Sequence, residues 1–378
     1  MASLTLKFLS IAMTTLAVSL PASASRCLRF YDEVYSVDNV TYGLQAFDAG
    51  IAQIKSHLLK AHKMSPEKKL SYYMSSDMRV TFFRLQSLSR IYEKAYDLPF
   101  FADKRAFFKK YEDLLGKVDL YDGLLKQVKP MQESGLIQYF ETIRQEKVDL
   151  LFTALKEDGL LSDPEKKMDE VYQELVKFKK WKEPKKDLEL HVKRLGKELS
   201  KLAENIKART YTHDDIEMGL HELRRQIRWP LIHVQTLTRL TTYNKTGKLP
   251  PEVKKYFDEM MNENPKLLES GFLKMRESEI DDPIQIPFVP HAMLTEIVSK
   301  IGAQKDRAEA DIFIDEAMTK LNFSASDRQR VESKLHDETG AAQKIDHKAL
   351  SKFYQEKLEA SGLLEFYVQQ LEKFNSKK

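Results

Sequence analysis

Apolar residues recur at three- and four-residue spacing through long stretches such as "LQAFDAGIAQIKSHLLKAH" (44–62) and "LIQYFETIRQEKVDLLFTALKE" (136–157). A helix turns once every 3.6 residues, so this spacing gathers the apolar side chains on one face; on a strand it would spread them over both. The pattern predicts an all-α chain whose helices bury their apolar stripes against one another. Only 13 glycines and 13 prolines interrupt the 378 residues. Breaks are predicted at Pro66, at Leu98 and Pro99, at Pro130, at Asp163 and Pro164, at Glu183 and Pro184, and at Pro250 and Pro251. The stretch "DDPIQIPFVP" (281–290) is predicted to be a non-helical connector.

The first 24 residues have the three parts of a secretory signal peptide: Lys7 as a positive start, an apolar run from Phe8 to Leu20, and the small residues Ala22, Ser23 and Ala24. Cleavage there starts the mature chain at Ser25. An uncleaved anchor is the competing reading, but the apolar run is shorter than the roughly 20 residues that span a bilayer. A lipid anchor on Cys27 is disfavoured by Arg26 just before it. Cys27 is the single cysteine, which rules out an intrachain disulfide, so stability is expected from packing. Removal of the leader takes the formal net charge from +4 to +3. So small a surplus does not imply a polyanion partner such as nucleic acid, and any anion site must rest on local clustering.

Charge is clustered in two ways. The basic run "KFKKWKEPKKDLELHVKR" (177–194) has acids interleaved and is read as two solvated helix ends around Pro184. The arginines are more informative. Of 17 in the chain, against 44 lysines, six lie in two segments, "SSDMRVTFFRLQSLSR" (75–90) and "GLHELRRQIRWPLIHV" (219–234). Arginine's planar fork binds phosphate or carboxylate oxygens in pairs, which lysine cannot do. On a helix His221, Arg224 or Arg225, and Arg228 align on one face, while Arg79, Gln86 and Arg90 form a similar stripe flanked by Arg84. Like charges so spaced repel, and the compensating charge is expected from nearby acids such as Glu217 and Glu222 or from a bound anion.

Each arginine segment is followed by a helix with a glycine and a nearby aspartate: "YEDLLGKVDLYDGLL" (Gly116, Asp122) and "LTEIVSKIGAQKDRAEA" (Gly302, Asp306). This order predicts an internal duplication of one helical unit. Over roughly residues 45–310 the chain resembles the CHAD family, the conserved histidine α-helical domain. The His-x-x-Arg signature is matched by His221, Arg224 and Arg228 in "HELRRQIR" and by Arg79 and Arg84 in "SSDMRVTFFRL", within a frame of Met78, Val80 and Leu85. The resemblance implies two related helical halves and non-catalytic binding of inorganic polyphosphate on basic helix faces. It assigns that role to Arg79, Arg84, His221, Arg224 and Arg228, with Arg90 and Arg225 as secondary candidates. The chain departs from the family pattern at Ser76, Phe83 and Gln86 in the first half and at Trp229 and Leu231 in the second. Asp119 replaces an arginine, and Pro230 is expected to kink or split its helix.

Other signals are weaker. "THDDIE" (212–217) is read as a helix cap at Asp214 and Asp215 beside His213 rather than a metal site, and "NKTGK" (244–248) as a turn, because Thr242 stands where a phosphate loop needs glycine. Asn39, Asn244 and Asn322 begin glycosylation triplets. No nucleophile-and-base or paired-carboxylate arrangement stands out, so no catalytic residue, metal or cofactor is expected. The four expected regions are a leader (1–24), an N-terminal segment (25–44), a CHAD-like domain (45–310) and a helical extension (311–378) whose helices are expected to pack back on the main domain, with a partner-binding extension as the alternative reading. The expected function is exported, non-catalytic binding of polyphosphate or a similar polyanion. The alternatives are a structural or protein-interaction module of the cell envelope that has lost its ligand and, in third place, a hydrolase.

Overall fold

Proline punctuates the chain as the sequence suggested, by starting helices. In the computed structural model Pro66, Pro99, Pro164, Pro184 and Pro251 each stand at the head of a helix, where the missing N–H has no intrahelical partner to lose. The structure describes residues 41–212, 217–237, 239–274, 278, 280–339 and 346–376. The leader, most of the N-terminal segment, Cys27, Asn39 and the cap proposed for 213–216 lie outside the described residues.

Among the described residues there are thirteen α-helices: α1 Tyr42–His62, α2 Pro66–Ser75, α3 Met78–Tyr96, α4 Pro99–Val128, α5 Ser134–Glu157, α6 Pro164–Val176, α7 Pro184–Lys207, α8 Glu222–Thr236, α9 Pro251–Glu263, α10 Phe288–Lys320, α11 Ala325–Thr339, α12 His347–Ser361 and α13 Leu363–Asn375. The protein is an all-α helical bundle with one very small sheet. None of these helices is long and apolar enough to cross a membrane. Local chemistry fixes several ends. Thr41 Oγ1 accepts the Leu44 N–H at 3.1 Å and Asp163 accepts from Lys166, which satisfies amides that have no intrahelical acceptor. Asp97 and Gly362 close α3 and α12 in the left-handed conformation.

Helices α3, α4 and α5 follow one another in antiparallel contact, α1 lies against α3 and α6, and α8 packs on α3, α7 and α10. The first core is aromatic. Phe47, Tyr92, Phe101 and Phe108 are fully buried, with Trp181 and Phe178 closing over them; the Tyr92–Trp181 and Phe101–Phe178 ring centroids are 5.1 and 4.9 Å apart. A second core joins the ends of α4 and α10 to α5 and α11 through Val128, Leu136, Phe140, Ile314, Met318 and Val331.

Behind the first core runs a buried polar chain. Asp187, fully buried, accepts the Gly43 N–H at 2.8 Å and the Tyr92 hydroxyl at 2.7 Å. The Tyr92 oxygen meets His191 Nε2 at 3.1 Å, and His191 Nδ1 meets His233 Nε2 at 3.1 Å. Tyr92 has one proton, which goes to Asp187, so its oxygen accepts from His191 Nε2–H. His191 Nδ1 then accepts from His233 Nε2–H, and the buried lone pair of His233 Nδ1 is left without a hydrogen-bond partner. Burial holds both histidines below their ordinary pKa, and for His233 the charges of His191, Arg90 and Arg194 add to the effect.

The structure corrects two expectations. Pro230 does not split its helix, because α8 continues from Glu222 to Thr236 with Pro230 buried inside it. Packing on α3, α7 and α10 outweighs the hydrogen bond that proline removes. The connector 281–290 is only partly irregular: Ile284–Pro287 forms a strand, β2, parallel to β1 (Thr241–Asn244), and Phe288 already begins α10. Helices α12 and α13 pack back against α7 and α10, and the boundary drawn at 310/311 lies within the unbroken helix α10. The stretch 244–248 is a turn, with Thr246 N–H donating to Asn244 Oδ1 at 2.9 Å.

Candidate functional site

The two arginine segments are built into the fold in the same way. Arg79 on α3 lies across Gly116 on α4, and Arg224 on α8 lies across Gly302 on α10. A Cβ at Gly116 would stand 2.6 Å from Arg79 Nη2, and one at Gly302 2.7 Å from Arg224 Nη2. At both places glycine leaves room for the guanidinium to lie flat on the helix, and a Cβ there would displace the flexible end of the arginine.

The two halves differ in what surrounds the arginine. Four residues before Gly116 stands Glu112, whose Oε1 accepts from Arg79 Nε at 3.2 Å; three residues after it stands Asp119, 2.7 Å from Arg79 Nη1. Both positions face the same way as the glycine on a helix. In the second half the corresponding positions are Val298 and Lys305. Arg224 Nε donates instead to the Val298 carbonyl at 3.3 Å, and the Lys305 amine lies 2.5 Å from Glu309. Among the described residues, no carboxylate lies within 4 Å of Arg224 or Arg228.

Arg228 sits where α3 and α8 cross. Its guanidinium stacks on Phe83 at 4.2 Å, Phe83 stacks on Trp229 at 5.1 Å, and Arg90 covers Trp229 at 4.7 Å. This ladder ties the halves together and holds Arg228 in a half-buried position. Burial, reinforced by the charge of Arg224 and then of Arg79, pulls the Arg228 pKa down to about 10, with Glu112 and Asp306 opposing. Three guanidiniums, from Arg79, Arg224 and Arg228, therefore share one field with three carboxylates, of which Glu112 and Asp119 pair with Arg79 and Asp306 acts on Arg228 from beyond ion-pair distance.

The remaining candidates lie elsewhere. Arg90 is buried against Glu198, and Arg225 is exposed and paired with Glu222 one turn away. Arg84 is half-buried, and its charge lowers the pKa of Asp77, although His57 contributes most to that shift. His221 ends a π-helical turn, Glu217–His221, that leads into α8. Such turns recur at functional sites because the extra residue re-aims the side chains around it. Asp122 pairs with Arg144 on α5, and Asp306 lies 3.7 Å from Lys305. Sequence reasoning did not include Glu112, although its place four residues before Gly116 was a usable signal. Comparison with protein-family models, with curated proteins and with solved structures finds no match.

Proposed function

We propose that the protein is an exported, non-catalytic, CHAD-like helical duplication that binds a phosphate-rich anion at Arg79, Arg224 and Arg228, flanked by Arg84 and His221. The observation that supports this reading is the uneven placing of acids at the crossing of α3 and α8: the paired carboxylates, Glu112 and Asp119, both serve Arg79. Arg224 and Arg228 press on each other electrostatically with no carboxylate within 4 Å of either among the described residues. A phosphate oxygen placed there would relieve that repulsion and take up the free forks, each charge-assisted bond contributing about 1.5–3 kcal/mol. Arg79, although paired with Glu112 and Asp119, acts on Arg228 and stays in the set, whereas Arg90 and Arg225, paired with Glu198 and Glu222, are left out of it.

The test is titration with medium-chain inorganic polyphosphate at two salt concentrations. Binding is expected to weaken steeply with salt, as counterions released from a polyanion require, and an Arg224→Ala/Arg228→Ala variant is expected to lose at least about tenfold in affinity. A Gly302→Ala variant gives a milder check. The new methyl displaces only the flexible end of Arg224, so affinity is expected to drop a few-fold while the thermal midpoint stays near that of the parent protein. A second reading, a structural or protein-interaction module, is favoured by the carboxylates that already serve Arg79, Arg90 and Arg225. Absence of polyphosphate binding at low salt would decide for it.

A further inference from the structure

A histidine, a tyrosine and an aspartate from three elements meet at the head of α3, and none of them is a contact of the proposed anion site. His57 lies on α1, Tyr72 on α2, and Asp77 is the N-cap residue of α3. Asp77 Oδ1 is 2.6 Å from His57 Nε2, and His57 Nδ1 is 2.9 Å from the Tyr72 hydroxyl. The other oxygen of Asp77 accepts from the Gln53 side-chain amide. Both carboxylate oxygens are thereby taken, and Asp77 makes no side-chain bond to the amides of α3, the usual work of aspartate at an N-cap. His57 is 15 residues from Tyr72 and 20 from Asp77, so no spacing within one segment announces the set.

The geometry fixes an order of protons. Asp77 is held below the ordinary carboxylate pKa, first by the His57 hydrogen bond, with burial opposing and the charge of Arg84 adding a smaller pull. An ionised carboxylate can only accept, so His57 Nε2 carries the proton on that side. In the neutral imidazole Nδ1 is then the acceptor, and the Tyr72 O–H donates to it. A hydroxyl on a base that is itself oriented by a third group is the arrangement of an activated nucleophile. The His57 side chain is sheltered at 13% exposure, whereas Tyr72 is half-buried on α2 between the exposed Ser71 and the half-buried Met74, one turn from exposed Ser75. Burial and the charge of Asp77 raise the Tyr72 pKa, so a standing phenolate is disfavoured and the proton must leave during attack rather than before it.

We propose that Tyr72 is a nucleophilic tyrosine, a site of covalent acylation by activated esters and thioesters, with His57 as its base and Asp77 as the residue that positions the base. The Tyr72 oxygen forms a bond to the acyl carbon as its proton passes to His57 Nδ1. The bond from that carbon to the leaving oxygen or sulfur then breaks, and His57 returns the proton to the departing alkoxide or thiolate. The products are a tyrosyl ester, a free alcohol or thiol, and neutral His57. Between the two steps Asp77 faces the imidazolium and stabilises it. Acylation of Tyr72 and anion binding by Arg79, Arg224 and Arg228 use different residues, so the two can be tested apart.

The probe is p-nitrophenyl acetate, an activated ester, applied to the full chain at pH 7, with the acetylated residues read by peptide mass spectrometry. Tyr139 is the internal reference: it is also half-buried, and its hydroxyl lies 3.2 Å from the Lys320 amine instead of a histidine. Tyr72 is expected to acetylate at least about tenfold faster than Tyr139, a modest share of what a positioned general base contributes. Neutral hydroxylamine is expected to remove the group, as it does from a phenyl ester and not from a lysine amide. An unassisted phenol reacts as its phenolate and gains tenfold per pH unit, whereas Tyr72 is expected to gain less than about threefold per unit between pH 7 and pH 9, because its proton leaves to the imidazole. His57→Gln is expected to bring Tyr72 down to the reference rate and to give the phenolate slope. Asp77→Asn changes a half-exposed side chain and keeps an acceptor for His57 Nε2–H. It is expected to slow Tyr72 several-fold at an unchanged thermal midpoint, and it carries the test if His57→Gln does not fold. Acetylation of Tyr72 no faster than that of Tyr139, a parental rate in a folded variant, or a full phenolate slope in the parent protein would overturn the proposal, and each is what a purely structural hydrogen-bond chain predicts.

Discussion

Between pH 7.5 and pH 5.0 the folded protein is expected to lose about 3 kcal/mol of stability, a large share of the 5–15 kcal/mol typical of a folded domain. The cause is burial of neutral imidazole. His291 is fully enclosed, with its Nδ1 on the Tyr367 hydroxyl, and desolvation pushes its pKa down to about 3. His233 is held well below its ordinary value, and His191 is lowered in the same direction. A group whose folded pKa is depressed binds fewer protons folded than unfolded, so stability is complete above the unfolded pKa near 6.5 and declines as pH falls toward the folded value. Each histidine that remains neutral at pH 5 removes about 2 kcal/mol on this account. Asp48 works the other way: desolvation raises its carboxyl to about 6 against the weaker pull of Arg239, which restores about 1 kcal/mol over the same range. Carboxylates held low, such as Asp77 and Asp158, add their own loss only below about pH 4.5. Urea unfolding at the two pH values measures the difference, and a His291→Leu variant is expected to show a smaller one. Stability that is flat or rising toward pH 5 would contradict the burial of neutral histidines.

The histidines also show where sequence reading stops. The helices were legible because their signal is local: apolar spacing within one segment, and proline at the head of the next. The matched order of arginine and glycine was legible for the same reason. Glu112, Gly116 and Asp119 are spaced by four and three on one helix, so the acids serving Arg79 follow from spacing once that glycine is known to lie under the guanidinium. By contrast, the stack of Arg228 on Phe83 joins residues 145 positions apart, and Asp187, Tyr92, His191 and His233 come from three helices. No periodicity within a segment specifies such a meeting. The parallel strand pair was missed because each strand has four residues, too few for alternation to separate it from a loop. The split expected at Pro230 is absent because a rule about the backbone of an isolated helix does not account for tertiary packing.

Removing the carboxylate of Asp187 is expected to cost about 3 kcal/mol, even though doing so spares the fold the desolvation of a buried anion. Asp187→Ala leaves two buried donors, the Gly43 amide and the Tyr92 hydroxyl, without their acceptor, and each orphaned donor costs about 1–3 kcal/mol. Relief of desolvation offsets part of that sum. Asp187→Asn keeps the shape but turns an amide N–H toward one of the same two donors, so it is expected to be destabilising as well rather than neutral. The loss should also propagate. If Tyr92 turns its proton elsewhere, His191 Nε2–H loses a fixed acceptor, and the tautomers of His191 and His233 are no longer set by the carboxylate. A double-mutant cycle separates this network from simple packing. Tyr92→Phe removes one of the donors that Asp187→Ala would orphan, so the two changes together should cost at least about 1 kcal/mol less than their sum. Costs that simply add would mean that Asp187 and Tyr92 stabilise the fold independently, and the proton order assigned from Asp187 to His233 would have to be abandoned.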